Sequence, residues 1–174
     1  RTALRDFAEK WNIPVAVAWR RQDIFDHIHP NFACHLAFNV PPVFRDTLNE
    51  ADLVLAIGTR LGDVTTQGYQ IPSAPRPLQP LIHVYPDEYH LGRVFETALA
   101  VKADATATLK ALVGSSTPDV PPGRAAWICR PCGSACGAPD RGRRLSPCHS
   151  VFRAVWREFS AACRPGGAHH PLPG

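Results

Sequence analysis

No methionine occurs anywhere in the 174 residues, and the chain opens Arg1-Thr2-Ala3-Leu4-Arg5-Asp6. With neither an initiator Met nor an apolar leader at that end, the expectation is a stretch from inside a longer protein, without a secretory signal of its own. No apolar run approaches the roughly 18 to 20 residues that cross a bilayer, so no membrane partner is expected. Lysine is confined to Lys10, Lys102 and Lys110, and arginine carries nearly all the positive charge. The net charge is only +4, with a pI near 8.9. It is not concentrated in any stretch before residue 115, which leaves a nucleic-acid partner without an electrostatic footprint. Five of the six cysteines lie beyond residue 128, so cysteine usage says little about the redox compartment of the first two thirds. The length suits one domain, or one domain with a tail.

What is present centres on Ala51 to Tyr69. Leu53-Val54-Leu55-Ala56-Ile57 is a continuous apolar run bounded by turn residues, the pattern of a parallel strand buried on both faces. Gly58, Thr59, Arg60, Leu61, Gly62 and Asp63 follow as a glycine-punctuated polar loop. In open α/β sheets, ligands sit off the carboxyl ends of the strands, where such a loop lies.

Taken in order, Leu4, Phe7, Ala8 and Trp11 have the spacing of a helix face over residues 2–11, closed by Asn12. Residues 13–18 read as a short buried strand, with Pro14 tolerated near its start. Trp19 to Gln22 is its exit loop, and Asp23 is expected to cap a short turn through Ile24, Phe25 and Asp26. His27 to Pro42 holds three histidines, three prolines and two asparagines and reads as irregular. Residues 42–49 read as a short helix. Four prolines between Pro72 and Pro80 mark a surface connection, and Leu81 to Tyr85 is the next strand. Glu88 to Val94 predicts one or two helical turns, Thr97 to Val101 a last strand, and Thr106 to Val113 a final helix. Helices alternating with short apolar strands predict an α/β fold with a parallel sheet. Such a sheet grows outward from a first central strand, yet this chain starts with a helix, so the sheet is expected to be incomplete.

Several stretches together resemble the central domain of thiamine-diphosphate-dependent enzymes of the acetolactate synthase type. They are LRDFAEKWNIPVAVAWR at 4–20, HPNFACHLAF at 29–38, EADLVLAIGTRLGDVTTQGY at 50–69, LIHVYPDEYHLGRV at 81–94 and KADATATLKAL at 102–112. The resemblance covers residues 1–113, about two thirds of the chain. It implies a Rossmann-like parallel sheet with flanking helices that lacks its first strand and first glycine loop, set between two thiamine-binding domains. It further implies a cytoplasmic enzyme that makes or breaks carbon–carbon bonds on 2-oxo acids. The expected partners are the parent enzyme's other domains and further copies, as a dimer or tetramer. Thiamine diphosphate and Mg2+ belong to those other domains: an activating glutamate in one, and a Gly-Asp-Gly motif with a downstream asparagine in the other. The sole Gly-Asp pair here is Gly62-Asp63, followed by Val64. This chain alone is therefore expected to be inactive.

In some relatives the central domain binds a nucleotide, FAD or ADP. Carried onto this sequence, the candidate binding residues are Arg20, Gly58, Thr59, Arg60, Asp63, Asp87 and Asp104, all in loops after strands. Backbone amides at a glycine loop and an arginine suit a pyrophosphate. Tyr85 stands where the family carries Asp in a His-Val-Asp-Pro-Asp run, and Cys34 replaces glycine in His-Pro-x-x-Ala-Gly-His. A stand-alone FAD-, NAD- or ADP-binding module of the same sheet type is the alternative, and the absent first strand argues against it. Singly, His27, His29 and His35 lack metal-site spacing, and His83 inside an apolar strand reads as a satisfied core or rim histidine.

Residues 114–174 are a different text, rich in Arg, Pro, Gly, Cys and Ala. Cys129-x2-Cys132, Cys136, Cys148 and His149 invite a zinc reading, but the second pair lacks the spacing of the first. The same composition arises when a GC-rich gene is read out of frame. This tail is expected to be of low order, with at most one short helix near Val151 to Phe159.

Overall fold

The computed structural model describes residues 1–49, 51 and 53–115. The expectations for the tail from residue 116 onward lie outside the described residues.

Helix α1 (Thr2–Trp11) buries Phe7, Ala8 and Trp11, the face its spacing defines, and ends on Asn12 in the left-handed conformation at φ 47°. Asparagine is one of the few residues that takes this helix-closing geometry readily. The helix faces two clusters at once. Phe7 and Trp11 pack with Ile82, Val84, Val101, Leu109 and Leu112. Ala8 packs with Val15, Val17 and Phe25.

Among the described residues, five strands form two parallel sheets. Strand β1 (Val15–Ala18) pairs with β2 (Phe32–Leu36). Helix α2 (Pro42–Asn49) then leads to β3 (Val54–Ile57), β4 (Leu81–Tyr85) and β5 (Leu99–Lys102), ordered β3-β4-β5. Among the described residues, no strand pairs with the second edge of β1 or of β3. The parallel α/β sheet is thus interrupted between β1 and β3, as expected for one that lacks a central strand.

Two expectations are corrected. Residues 27–42 are not irregular throughout, because β2 lies inside them; its register slips by one residue against β1 at Ala33, so Ala33 and Cys34 are both buried. Nor is β3 buried on both faces: Ala56 is buried, whereas Val54, Leu55 and Ile57 are half-buried. With one edge unpaired, β3 is an edge strand. The fully covered strand is β4, where Leu81, Ile82, His83 and Val84 are all at most 2% exposed.

The chain returns through helix α3 (Ala105–Gly114), which packs against α1. The Trp11 indole N–H donates to the Leu112 carbonyl at 3.1 Å, and Lys10 Nζ donates to the carbonyls of Val113 and Ser115 at 2.5 and 2.7 Å. These oxygens lie at or just past the end of α3, where carbonyls lack intrahelical donors. Burying Trp11 alone contributes about 1.5–3 kcal/mol by area. No helix among the described residues is long and apolar enough to cross a membrane.

Candidate functional site at the carboxyl edge of the sheets

Parallel pairing brings the carboxyl ends of β3, β4 and β5 to one edge: Ile57 lies beside Val84, and Tyr85 beside Lys102. The loops carrying Gly58 to Asp63, Asp87 and Asp104 therefore leave the sheet side by side. Arg20 leaves β1, in the other sheet. Among the described residues, no hydrogen bond or ion pair joins the side chains of any two of these residues; six lie on the loops that follow β3, β4 and β5, and Arg20 lies on the loop that follows β1.

Gly58 has φ +69°, and a Cβ added there would lie 2.9 Å from the Cβ of Ala105, the first residue of α3. Glycine is needed both for the backbone angle and for this close approach. Its amide donates to the Val84 carbonyl at 2.9 Å and belongs to the sheet ladder. Thr59 turns inward: its hydroxyl accepts from the Leu61 amide at 3.2 Å, and its carbonyl accepts from His83 Nε2 at 2.8 Å. A carbonyl only accepts, so Nε2 carries the proton. Burial lowers the His83 pKa, the bond to Thr59 opposes that shift, and nearby His90 adds to it. The residue is a satisfied core histidine, one of the two readings that its place in an apolar strand allowed.

The two downstream carboxylates act as caps. Asp104 Oδ1 accepts from the Ala107 amide at 2.9 Å at the start of α3. Asp87 Oδ1 accepts from the Tyr89 amide at 3.0 Å, at a 3-10 turn over Glu88–His90 that is shorter than the helix expected to Val94. Asp63 is exposed, and its carbonyl accepts from the Gly68 amide at 2.9 Å. Arg60 is exposed and makes no ion pair with a described residue. Around them the backbone is tightly wound: Leu61, Gln67 and Tyr69 all have φ between +52° and +63°. Such angles cost non-glycine residues about 1–3 kcal/mol each and persist only where surrounding contacts fix them.

Gln67, which nothing in the sequence singled out, supplies part of that fixing. Its amide nitrogen donates to the carbonyls of Ala37 at 2.6 Å and Val64 at 2.8 Å, and its oxygen accepts from the Val40 amide at 3.2 Å. One side chain thus ties the loop after β2 to the loop after β3, across the break between the sheets. A second feature escaped notice beside Arg20. Trp19 stacks near His35 (6.5 Å, 19°) and meets Phe38 edge-on at 4.8 Å, and the Arg20 guanidinium lies 5.7 Å from the Trp19 ring. Phe38 is 66% exposed, and the buried Nε2 of His35 finds no partner among the described residues. These residues come together only through β2, the strand that the sequence pattern hid.

The model of the thiamine pyrophosphate enzyme central domain matches residues 1–112. The chain belongs to that family. Among curated proteins it is similar to sulfoacetaldehyde acetyltransferase of Rhodobacter capsulatus, 34% identical over 104 residues, covering 58% of this chain and 17% of the relative. It is also similar to the enzyme of that name from Roseovarius nubinhibens, 30% identical over 112 residues, covering 64% and 18%. A third relative is 3D-(3,5/4)-trihydroxycyclohexane-1,2-dione hydrolase of Geobacillus thermodenitrificans, 29% identical over 106 residues, covering 61% and 16%. The chain spans less than a fifth of the length of these relatives. Enzymes of this family depend on thiamine diphosphate, but the described residues of this central domain do not fit the cofactor or its metal. Gly62-Asp63 is followed by Val64, and no three His, Cys, Asp or Glu side chains among the described residues converge on a point.

Proposed function

We propose that residues 1–113 are a scaffolding domain of an acetolactate synthase-like enzyme that makes or breaks a carbon–carbon bond on a 2-oxo acid, with residues 114–174 a separate tail. On this reading, other domains of the parent enzyme bind thiamine diphosphate and Mg2+. The central domain fixes their spacing within a cytoplasmic homo-oligomer. The observation that supports a structural role is how the carboxyl-edge groups are used. The Gly58 amide is held by Val84, the Ala107 amide by Asp104 and the Tyr89 amide by Asp87. An edge that binds a pyrophosphate needs such amides free to point at the anion.

The second reading, FAD or ADP held by Arg20, Gly58, Thr59, Arg60, Asp63, Asp87 and Asp104, draws support from two exposed arginines, Arg20 and Arg60. Their loops leave different sheets, so a pyrophosphate held by both would have to span the interval between β1 and β3. Thermal melting of the full chain with FAD or ADP distinguishes the two readings. Ligand at 100 times its dissociation constant would stabilise by about 2.7 kcal/mol, a shift of several degrees. The scaffolding reading expects no shift. A rise in Tm that Arg20→Ala or Arg60→Ala abolishes would replace it with the nucleotide reading.

A further inference from the structure

Helix α3 ends without the features that commonly close a helix. Gly114 does not take the left-handed conformation, and Ser115 follows it in extended backbone at φ −83° and ψ 163°. The last turn of α3 also holds no basic residue to balance the negative end of the helix dipole. Both needs are met from α1. Lys10, in the last turn of that helix, donates from Nζ to the Val113 and Ser115 carbonyls at 2.5 and 2.7 Å. Trp11, the next residue, gives its indole N–H to the Leu112 carbonyl at 3.1 Å. The same carbonyl accepts from the Ser115 hydroxyl at 2.8 Å and from the Ser115 amide at 3.3 Å. The two anchors differ in kind. Trp11 and Leu112 are buried and held by packing, whereas Lys10 is exposed and holds its carbonyls by charge.

We infer that the last turn of α1 is a clasp on the end of α3, with Lys10 as its charged catch, and that it fixes the direction in which the chain leaves this domain. With the catch closed, residues 113–115 lie against α1. Without the positive charge, the Val113 and Ser115 carbonyls lose their partner and these three residues open. The opening is local, because Trp11 and Leu112 remain packed with Ile82, Val84 and Val101. Residues 116–174 continue from Ser115, so the clasp is the joint between the domain and the chain that follows it. Lys10 is on this account a positioning residue. The clasp lies at the far end of α3 from Gly58, so it stands apart from the scaffolding reading and from how the carboxyl-edge loops are used.

Amide hydrogen exchange on the full 174-residue chain tests it, in wild type, Lys10→Gln and Lys10→Arg. Glutamine keeps a donor and removes the charge, whereas arginine keeps the charge on a different head group. In Lys10→Gln the Gly114 and Ser115 amides should exchange at least about tenfold faster than in wild type. The Ile82 and Val84 amides, in the central strand β4, should be unchanged. Lys10→Arg should hold Gly114 and Ser115 within about twofold of wild type. The inference is overturned if Lys10→Gln leaves Gly114 and Ser115 as slow as before. It is equally overturned if Lys10→Arg speeds them as much as Lys10→Gln, because the catch would then not be the charge. Acceleration of Ile82 and Val84 by the same factor would also overturn it, since the whole domain and not a clasp would have loosened.

Discussion

Replacing Gly58 with alanine isolates the contact that seats the β3 exit loop against α3. Two penalties combine at this position. Alanine at φ +69° leaves its preferred backbone region, at about 1–2 kcal/mol. The new Cβ also meets Ala105 Cβ at 2.9 Å, and relieving such overpacking costs about 1–3 kcal/mol. Gly58→Ala should therefore destabilise by about 2–5 kcal/mol, a large share of the 5–15 kcal/mol typical of a domain. Apart from its chain neighbours, Ala105 is the sole described residue within 4 Å of the added atom, so Ala105→Gly should open the space again. The double variant should recover the steric part and retain the backbone part, leaving a coupling energy of about 1–3 kcal/mol. Urea unfolding of wild type, both single variants and the double variant supplies the cycle. Strictly additive effects would refute the contact, and a Gly58→Ala variant as stable as wild type would refute both penalties.

Two further outcomes follow from side chains buried near the same edge. His83 has a folded pKa lowered below its ordinary value near 6.5, chiefly by burial, so the unfolded chain binds more protons in mildly acidic solution. Its contribution is fully present above about pH 6.5 and shrinks as the pH falls from there through the lowered folded value. Stability measured from pH 7.5 to 5 should drop more steeply for wild type than for His83→Gln, and parallel profiles would contradict the assignment. Gln67→Ala removes two hydrogen bonds between the two exit loops and a third within its own loop, and should cost about 1–3 kcal/mol. Amide exchange at Val40 should accelerate in that variant, and unchanged exchange there would show that the loops are tied by other groups.

Much of the architecture was legible because periodicity and local stop signals agreed. The Leu4, Phe7, Ala8, Trp11 spacing with Asn12 after it delimits α1, and residues 42–49 form α2 as read. Strands β1, β3 and β4 follow their apolar runs, and β5 starts two residues later and ends one residue later than its pattern suggested, at Leu99–Lys102. Strand β2 was hidden because the slip at Ala33 breaks period-two alternation, and because histidines and prolines surround it. The doubly buried strand was misplaced for a different reason: an apolar run records that a strand is fit for burial, while burial itself depends on neighbours.

At the carboxyl edge the limit is chemical. An aspartate just ahead of a helix suits an N-cap and a ligand equally well, and the structure places Asp87 and Asp104 as caps. A glycine after a strand suits a phosphate cradle or a tight packing contact, and Gly58 makes the contact. Gln67 carried no signal at all, because its partners across the break are backbone atoms about 30 residues away in sequence.

The proposal that this member of the thiamine pyrophosphate enzyme central-domain family has a structural role is tested most directly by turnover. Purified chain is incubated with pyruvate, thiamine diphosphate and Mg2+, and acetolactate formation and carbon dioxide release are followed. The account predicts rates equal to those of the same mixture without protein. Release above that background, dependent on added thiamine diphosphate and proportional to chain concentration, would contradict it.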